Sequence, residues 1–348
     1  MRHIDCARCG VQVLVEKNSW QHTTVQWSTA RPDTVCDEYR DDPTLTLRGA
    51  EWGAAPHCVN PSSRPPWTDA SPSPTDNRPK GIETTMIDKD KYGPWAVIAG
   101  GSEGVGAGFA EELAEAGLNL VLLARKPGPL EETAAKARAH GVEVRTLAVD
   151  LLAADAVERI RETTADLDVG LLIFNAGANT YGHEFVTGDL DACRKVLTLN
   201  IDRQLELSQV FGAPMRERGR GGIILLGSLA GFVGAEHMSI YAAAKAFSRV
   251  FAEGLWLEMA EHGVDVLELV LGVTRTPAME RAGLDFDLPG LNASDPYAVA
   301  REGLDHLADG PIWVAGGNYE LAAGCAGFPR AEIVRAASAE ARAMMGRR

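Results

Sequence analysis

From about residue 95 onward, short runs rich in consecutive apolar residues alternate with longer stretches whose apolar positions recur every three or four residues. The short runs are Trp95–Ala99, Leu118–Leu123, Val142–Val149, Val169–Phe174, Ile223–Gly227, Val264–Leu271 and Ile312–Ala315. Most show little polar alternation, as strands covered on both faces require. Between them the pattern predicts helices over Ala107–Ala116, Leu130–His140, Asp155–Leu167, Leu190–Arg218, Ser239–His262 and Asp295–Ala308. Strands alternating with helices imply a three-layer α/β/α fold, a doubly wound parallel sheet with ligands at the carboxyl ends of the strands.

The first 85 residues do not share this pattern. Residues 1–60 form a small Cys-containing segment that opens with Cys6-Ala7-Arg8-Cys9-Gly10. Cys36 and Cys58, with His22 and His57 in reserve, complete the donors for a tetrahedral site, and structural zinc suits them best. The other reading is a poorly folded extension with free thiols. Residues 61–85 are rich in Pro and Ser, bury little, and read as an extended linker. The catalytic domain is expected over 86–348, Met86 being a natural start. The preceding residues are then either a fused module or upstream sequence brought in by the choice of start codon.

Composition narrows the function classes. The chain has 348 residues, 45% hydrophobic and 24% charged, an ordinary globular mixture. A net charge of −14 disfavours a binder of phosphate backbones, so no nucleic-acid partner is expected. No apolar run approaches the roughly 20 residues that span a bilayer, and no signal core follows the N-terminus. A cytoplasmic protein without a membrane partner is the expectation, with Cys193 and Cys325 as isolated thiols.

Two motifs carry the chemistry. The strand Trp95–Ala99 runs into Gly100-Gly101-Ser102-Glu103-Gly104-Val105-Gly106 and then a helix. A strand, a glycine turn and a helix in that order make a dinucleotide-phosphate site: glycines admit the pyrophosphate, and free N–H groups face its charge. The second strand ends in Ala124-Arg125-Lys126, where an NAD enzyme usually places a carboxylate for the ribose hydroxyls. Arg125 suits a 2′-phosphate instead, so NADP is preferred over NAD. The second motif is Tyr241-Ala242-Ala243-Ala244-Lys245, with Ser228 upstream. Tyr241 and Lys245 share one helix face, and an ammonium held there lowers the phenol pKa towards neutrality. Such a phenol is the general acid needed to protonate a carbonyl oxygen as hydride arrives.

With these residues in place, the chain from about residue 91 onward resembles the single-domain short-chain dehydrogenases/reductases, which have a Rossmann fold. Ala99-Gly100-x-x-x-Gly104-x-Gly106 resembles the family's Thr-Gly-x-x-x-Gly-x-Gly, and Asn175-Ala176-Gly177 its Asn-Asn-Ala-Gly, with Phe174 in the first Asn position. The resemblance implies that Gly100, Ser102, Glu103, Gly104, Val105, Gly106, Asn175 and Gly177 line the cofactor, with Asp150 against adenine. Gly272, Val273 and Thr276 fall beside the nicotinamide, Leu271 standing where the family has Pro. Tyr241, Lys245, Ser228 and Asn200 are the implied tetrad: Tyr241 donates the proton and Lys245 also holds the nicotinamide ribose. Ser228 polarises the carbonyl, and Asn200 holds a water that links Lys245 to solvent.

Pro277–Asn292 falls where the family places its substrate lid, and Met279, Leu284, Phe286, Leu288 and Leu291 either line an apolar pocket or pack the loop. The amphipathic tail Arg330–Met345 docks on its own domain, on a sister subunit or, least in keeping with its mixed charges, on a membrane. The expected activity is NADP(H)-dependent interconversion of a ketone and a secondary alcohol, on an apolar small-molecule substrate of steroid or 3-oxoacyl type, in a homodimer or homotetramer. The alternatives are a non-catalytic dinucleotide sensor and a metal-linked interaction protein on the same scaffold. Epimerase or dehydratase relatives normally carry a larger C-terminal domain.

Overall fold

The computed structural model describes residues 2–5, 12–17, 23–27, 87–179, 182–286, 291–327 and 330–344. The chain divides into two units between Gly81 and Ile82. In the first, β1 (Arg2–Asp5), β2 (Gln12–Lys17) and β3 (Thr23–Trp27) form an antiparallel sheet in chain order. Ile4 pairs with Val13, and Val15 with Val25. Cys6, Cys9, Cys36 and Cys58 lie outside the described residues, as do His22, His57 and the Pro/Ser-rich stretch.

The second unit begins with a short helix, α1 (Lys89–Tyr92), capped by the Asp88 carboxylate. Then β4 (Trp95–Ala99), α2 (Gly104–Glu115), β5 (Asn119–Ala124), α3 (Pro127–Arg138) and β6 (Val144–Ala148) alternate. They are followed by α4 (Ala156–Thr164), β7 (Val169–Phe174), α5 (Leu190–Leu197), α6 (Arg203–Arg218) and β8 (Gly221–Ser228). The chain closes with α7 (Ser239–Ala260), β9 (Val264–Leu271), α8 (Pro277–Arg281), α9 (Pro296–Asp305), β10 (Ile312–Val314), α10 (Tyr319–Ala326) and α11 (Arg330–Met344).

All seven strands of this unit are parallel, in the order β10-β9-β8-β7-β4-β5-β6. Strand order reverses between β4 and β7, and such a reversal opens a crevice at the carboxyl ends. Every residue of β4 and β7 is buried, because helices cover both faces. The pleat separates two cores. Ala96 and Ile98 point towards Phe109 and Leu113 of α2 and Leu130 of α3. Val97 and Ala99 point towards Leu207, Phe211 and Met215 of α6 and Ala252 of α7.

Two helical expectations are revised. The single helix expected over Leu190–Arg218 is interrupted by a π-helical turn, Thr198–Asp202, with Asn200 inside it. The helix expected from Leu130 starts at Pro127, whose fixed φ suits a first turn. None of α1, α8 and α10 was anticipated. The C-terminal helix packs on its own domain: Ser338 Oγ accepts from Glu236 N at 3.0 Å, and Arg342 pairs with Glu236 at 2.8 Å. No described helix is long and apolar enough to cross a membrane.

Candidate active site

The glycine turn joins β4 to α2 at the strand-order reversal. Gly100 and Gly104 have φ of 87° and 58°, a region that side chains disfavour. At Gly106 a Cβ would lie 2.0 Å from the Gly100 carbonyl oxygen, so the helix starts hard against the turn. Asn175 Nδ2 donates to that same carbonyl at 2.8 Å, tying the end of β7 to the turn. Thr133 Oγ1 of α3 braces it from the other side, donating to the Ser102 carbonyl at 2.9 Å. Val105 is buried in the core, so its backbone rather than its side chain faces the turn. Glu103, at the N-cap of α2, makes no side-chain cap bond and leaves the first N–H groups to an incoming anion. Its carboxylate pairs with both guanidinium nitrogens of Arg281 on α8.

Arg125 and Lys126, just past β5, are exposed, and Arg125 has no ion-pair partner among the described residues. Asp150 is exposed too, with Oδ1 accepting from Leu152 N at 3.0 Å. On the far side of the crevice, Thr276 caps α8, and its methyl group closes on Gly104, where a Cβ would be 2.9 Å away. The Val273 carbonyl accepts from Ser294 N at 2.9 Å. Gly272 is held close by Asn318, whose Nδ2 would lie 2.6 Å from a Cβ there.

Ser228 ends β8, where its hydroxyl accepts from Ala230 N at 3.2 Å and lies beside the phenol of Tyr241 in the first turn of α7. Lys245, one turn further on, is buried and donates from Nζ to the Leu226 carbonyl at 2.7 Å. Its Nζ is 5.7 Å from the centre of the Tyr241 ring. Asn200 is 1% exposed and donates from Nδ2 to Val196 O at 2.9 Å and Ala178 O at 3.2 Å. Asn200 Oδ1 is buried without a partner. A Cβ on Gly177 would meet Asn200 Oδ1 at 2.7 Å and Lys245 Nζ at 3.2 Å, so these two side chains converge over a glycine.

Burial pushes the Tyr241 phenol up, while the Ser228 hydrogen bond pulls it down. This differs from the sequence expectation, in which Lys245 makes the phenol acidic: desolvation outweighs the favourable contacts. Burial also takes Lys245 down to about 8, against the pull of the Glu268 carboxylate.

A cavity of about 470 Å³ opens between the loop after β7 and the loop before α7, lined by His183, Glu184, Thr187, Asp189 and His237 among others. His237 adopts φ of 61°, a strained value for a non-glycine residue. Met279, Leu284, Phe286 and Leu291 are not among its lining residues. Met279 is 42% exposed, Phe286 packs beneath the Arg275 guanidinium at 4.6 Å, and Leu288 lies outside the described residues.

Sequence reasoning passed over His237, the Arg281–Glu103 pair and above all Glu268. A signal for Glu268 existed: its neighbours two positions away, Val266 and Val270, are apolar and mark a covered face. Among the described residues no three His, Cys, Asp or Glu side chains group as a metal site, and Cys193 and Cys325 are free.

A family model described as short chain dehydrogenase matches residues 94–285. The chain belongs to the short-chain dehydrogenase/reductase family, and is an NAD(P)-dependent oxidoreductase acting on alcohol and carbonyl groups. It is 32% identical over 229 residues to the 7beta-hydroxysteroid dehydrogenase of Clostridium sardiniense, covering 66% of this chain and 87% of that one. It is 33% identical over 233 residues to the very-long-chain 3-oxoacyl-CoA reductase of Neurospora crassa, covering 62% and 70%. Among solved structures, a short-chain dehydrogenase from Sphingobium yanoikuyae in complex with NADPH superposes with a TM-score of 0.60 at 28% identity, covering 72% of this chain and 95% of that one.

Proposed function

We propose that this protein is an NADP(H)-dependent oxidoreductase that interconverts a bulky ketone of steroid or 3-oxoacyl type and its secondary alcohol. The observation that carries the reading is the convergence of Asn200 and Lys245 over Gly177, with Tyr241 one helical turn before the lysine and beside Ser228. The glycine turn fits a dinucleotide: it has no room for side chains at Gly106, and the first turn of α2 is uncapped by Glu103. Gly100 to Gly106 would hold the pyrophosphate, with Asp150 at the adenine and Gly272 to Thr276 beside the nicotinamide. NADP over NAD is supported by Arg125, which is exposed without an ion-pair partner, and by Glu103, whose carboxylate is engaged by Arg281. The Sphingobium relative in complex with NADPH points the same way. The steroid and 3-oxoacyl classes are the activities of the two relatives.

When bound, the nicotinamide supplies hydride to the carbonyl carbon or accepts it in the reverse direction. Ser228 donates a hydrogen bond to the carbonyl oxygen and fixes its position. Tyr241, kept protonated at neutral pH by its burial, gives its proton to that oxygen. The Lys245 ammonium stabilises the phenolate left behind. Asn200 Oδ1, buried beside Lys245, holds the water through which the proton is replaced.

The test is NADPH consumption with a 7-oxosteroid and a 3-oxoacyl thioester, repeated with NADH. We expect turnover of at least one ketone and a preference for NADPH. Tyr241→Phe should lower kcat by roughly 10²–10⁴-fold, the usual share of a general acid, with NADPH affinity nearly unchanged. Full turnover in that variant would discard the mechanism.

A further inference from the structure

Glu268 lies inside β9 on the face covered by α6 and α7, between Val266 and Val270. It is 1% exposed, and neither carboxyl oxygen has a partner at hydrogen-bonding distance, the nearby Ser248 hydroxyl that favours the carboxylate being turned to Gln204. A carboxylate so placed is costly to keep, and an unpaired buried group of this kind calls for a use. Its surroundings indicate one. The strand register sets Leu225 opposite Glu268, and the carboxyl group folds over Gly227, where a Cβ would lie 2.6 Å from Cδ and 2.7 Å from Oε1. The residue before Gly227 is Leu226, whose carbonyl anchors Lys245 Nζ; the residue after it is Ser228. The carboxyl group thus packs on Gly227, the residue between the carbonyl that anchors Lys245 and the serine of the site. Further polar groups line this space. Ser248 Oγ donates to Gln204 Oε1 at 3.0 Å, while Gln204 Nε2, Ser208 Oγ and Arg249 Nε are buried without partners.

We propose that Glu268 is a positioning residue for the reaction, a buried carboxyl group coupled to Lys245 that sets the charge of the lysine and hence the pH range of turnover. The inference rests on the role given to Lys245 above. The charged groups acting on Glu268 are Lys245 and Arg249, which favour the carboxylate, and Glu253, which opposes it; all three are on α7. Arg249 is itself shared with Glu253 at 3.8 Å. Burial prevails and pushes Glu268 up to about 7, close to the value of about 8 for Lys245, so the two groups change charge in adjoining ranges.

The experiment uses the full chain, Glu268→Gln and Lys245→Met. Infrared difference titration follows the carbonyl stretch of a buried protonated acid. A band titrating near neutral pH is expected in the unaltered protein and should be absent in Glu268→Gln. In Lys245→Met it should persist to higher pH, because the ammonium that favours ionisation is gone. In turnover, removing the carboxylate lowers the lysine pKa, so the limb on which ketone reduction falls with rising pH should move about one pH unit towards acid in Glu268→Gln. An unmoved band in Lys245→Met, or a Glu268→Gln profile that superposes on the original, overturns the coupling. A moved band in a protein that reduces no ketone would refute the proposed function and leave the coupling standing. Should Glu268→Gln fail to fold, the band in Lys245→Met decides.

Discussion

Burying Lys245 and Glu268 together costs stability, and the cost depends on pH in a way that can be worked out by sign. The Glu268 carboxyl moves from an ordinary 4.5 to about 7 on folding. Between those values the folded chain holds more protons than the unfolded one, so stability falls as pH rises through the window. Lys245 moves from 10.5 to about 8, so between about 8 and 10.5 the folded chain holds fewer protons and stability rises with pH. The pair therefore places a stability minimum between about 7 and 8. Groups other than Lys245 cancel when the unaltered protein is compared with Glu268→Gln, and the lowered lysine pKa of the variant acts in the same direction. The stability advantage of the unaltered chain should shrink by of order 2 kcal/mol from about pH 5 to about pH 7.5. Denaturant unfolding at the two pH values measures it, and a difference independent of pH would refute a protonated Glu268. Gly177 and Gly227 belong to the same residue-scale logic. Each yields its Cβ position to polar side chains, to Asn200 and Lys245 in one case and to Glu268 in the other.

Among elements, α8 decides how the glycine turn is covered. Arg281 reaches from it to Glu103, and Thr276 at its N-cap closes on Gly104. The pair is exposed, with side chains at 52% and 32%, and exposed pairs contribute roughly 0–1 kcal/mol. Arg281→Ala should therefore speed NADPH release by up to about fivefold and flatten its dependence on salt. Stopped-flow displacement would show this, and an unchanged release rate would mean that α8 does not bar the exit. The α8 segment also marks where sequence reading thinned out. The strands were legible because burial on both faces leaves apolar runs, as in β4 and β7. The glycine turn and the Tyr241–Lys245 pair were legible because their spacing is local. The π-helical turn was not, since periodicity continues through one added residue and Asn200 reads as an ordinary helical position. Glu268 was passed over because a lone carboxylate inside a strand reads as a solvent-facing position, although Val266 and Val270 mark its face as covered. The Arg281–Glu103 pair joins positions 178 apart, and no local pattern foretells it.

At the scale of the whole unit, the reversal of strand order puts the glycine turn, Asn175 and Ser228 at one edge of the sheet. Helix α11 holds the loop between Ser228 and Tyr241. Arg330 donates to the Phe232 carbonyl at 3.2 Å, Glu236 N donates to Ser338 Oγ at 3.0 Å, and Arg342 pairs with Glu236 at 2.8 Å. The same loop carries His237 into the wall of the cavity. Without α11 this loop would have to be ordered by the substrate, at about 1–2 kcal/mol for each residue fixed. The cofactor side draws on none of these contacts, since the glycine turn is braced by Asn175 and Thr133. Deleting residues 330–348 should therefore raise KM for the ketone by roughly tenfold, equivalent to about 1.4 kcal/mol, while NADPH affinity holds. Ketone titrations at saturating NADPH, with cofactor binding followed by fluorescence, separate the two sides. Equal losses in both would mean that α11 supports the fold as a whole, and an unchanged KM would mean that the loop keeps its shape unaided.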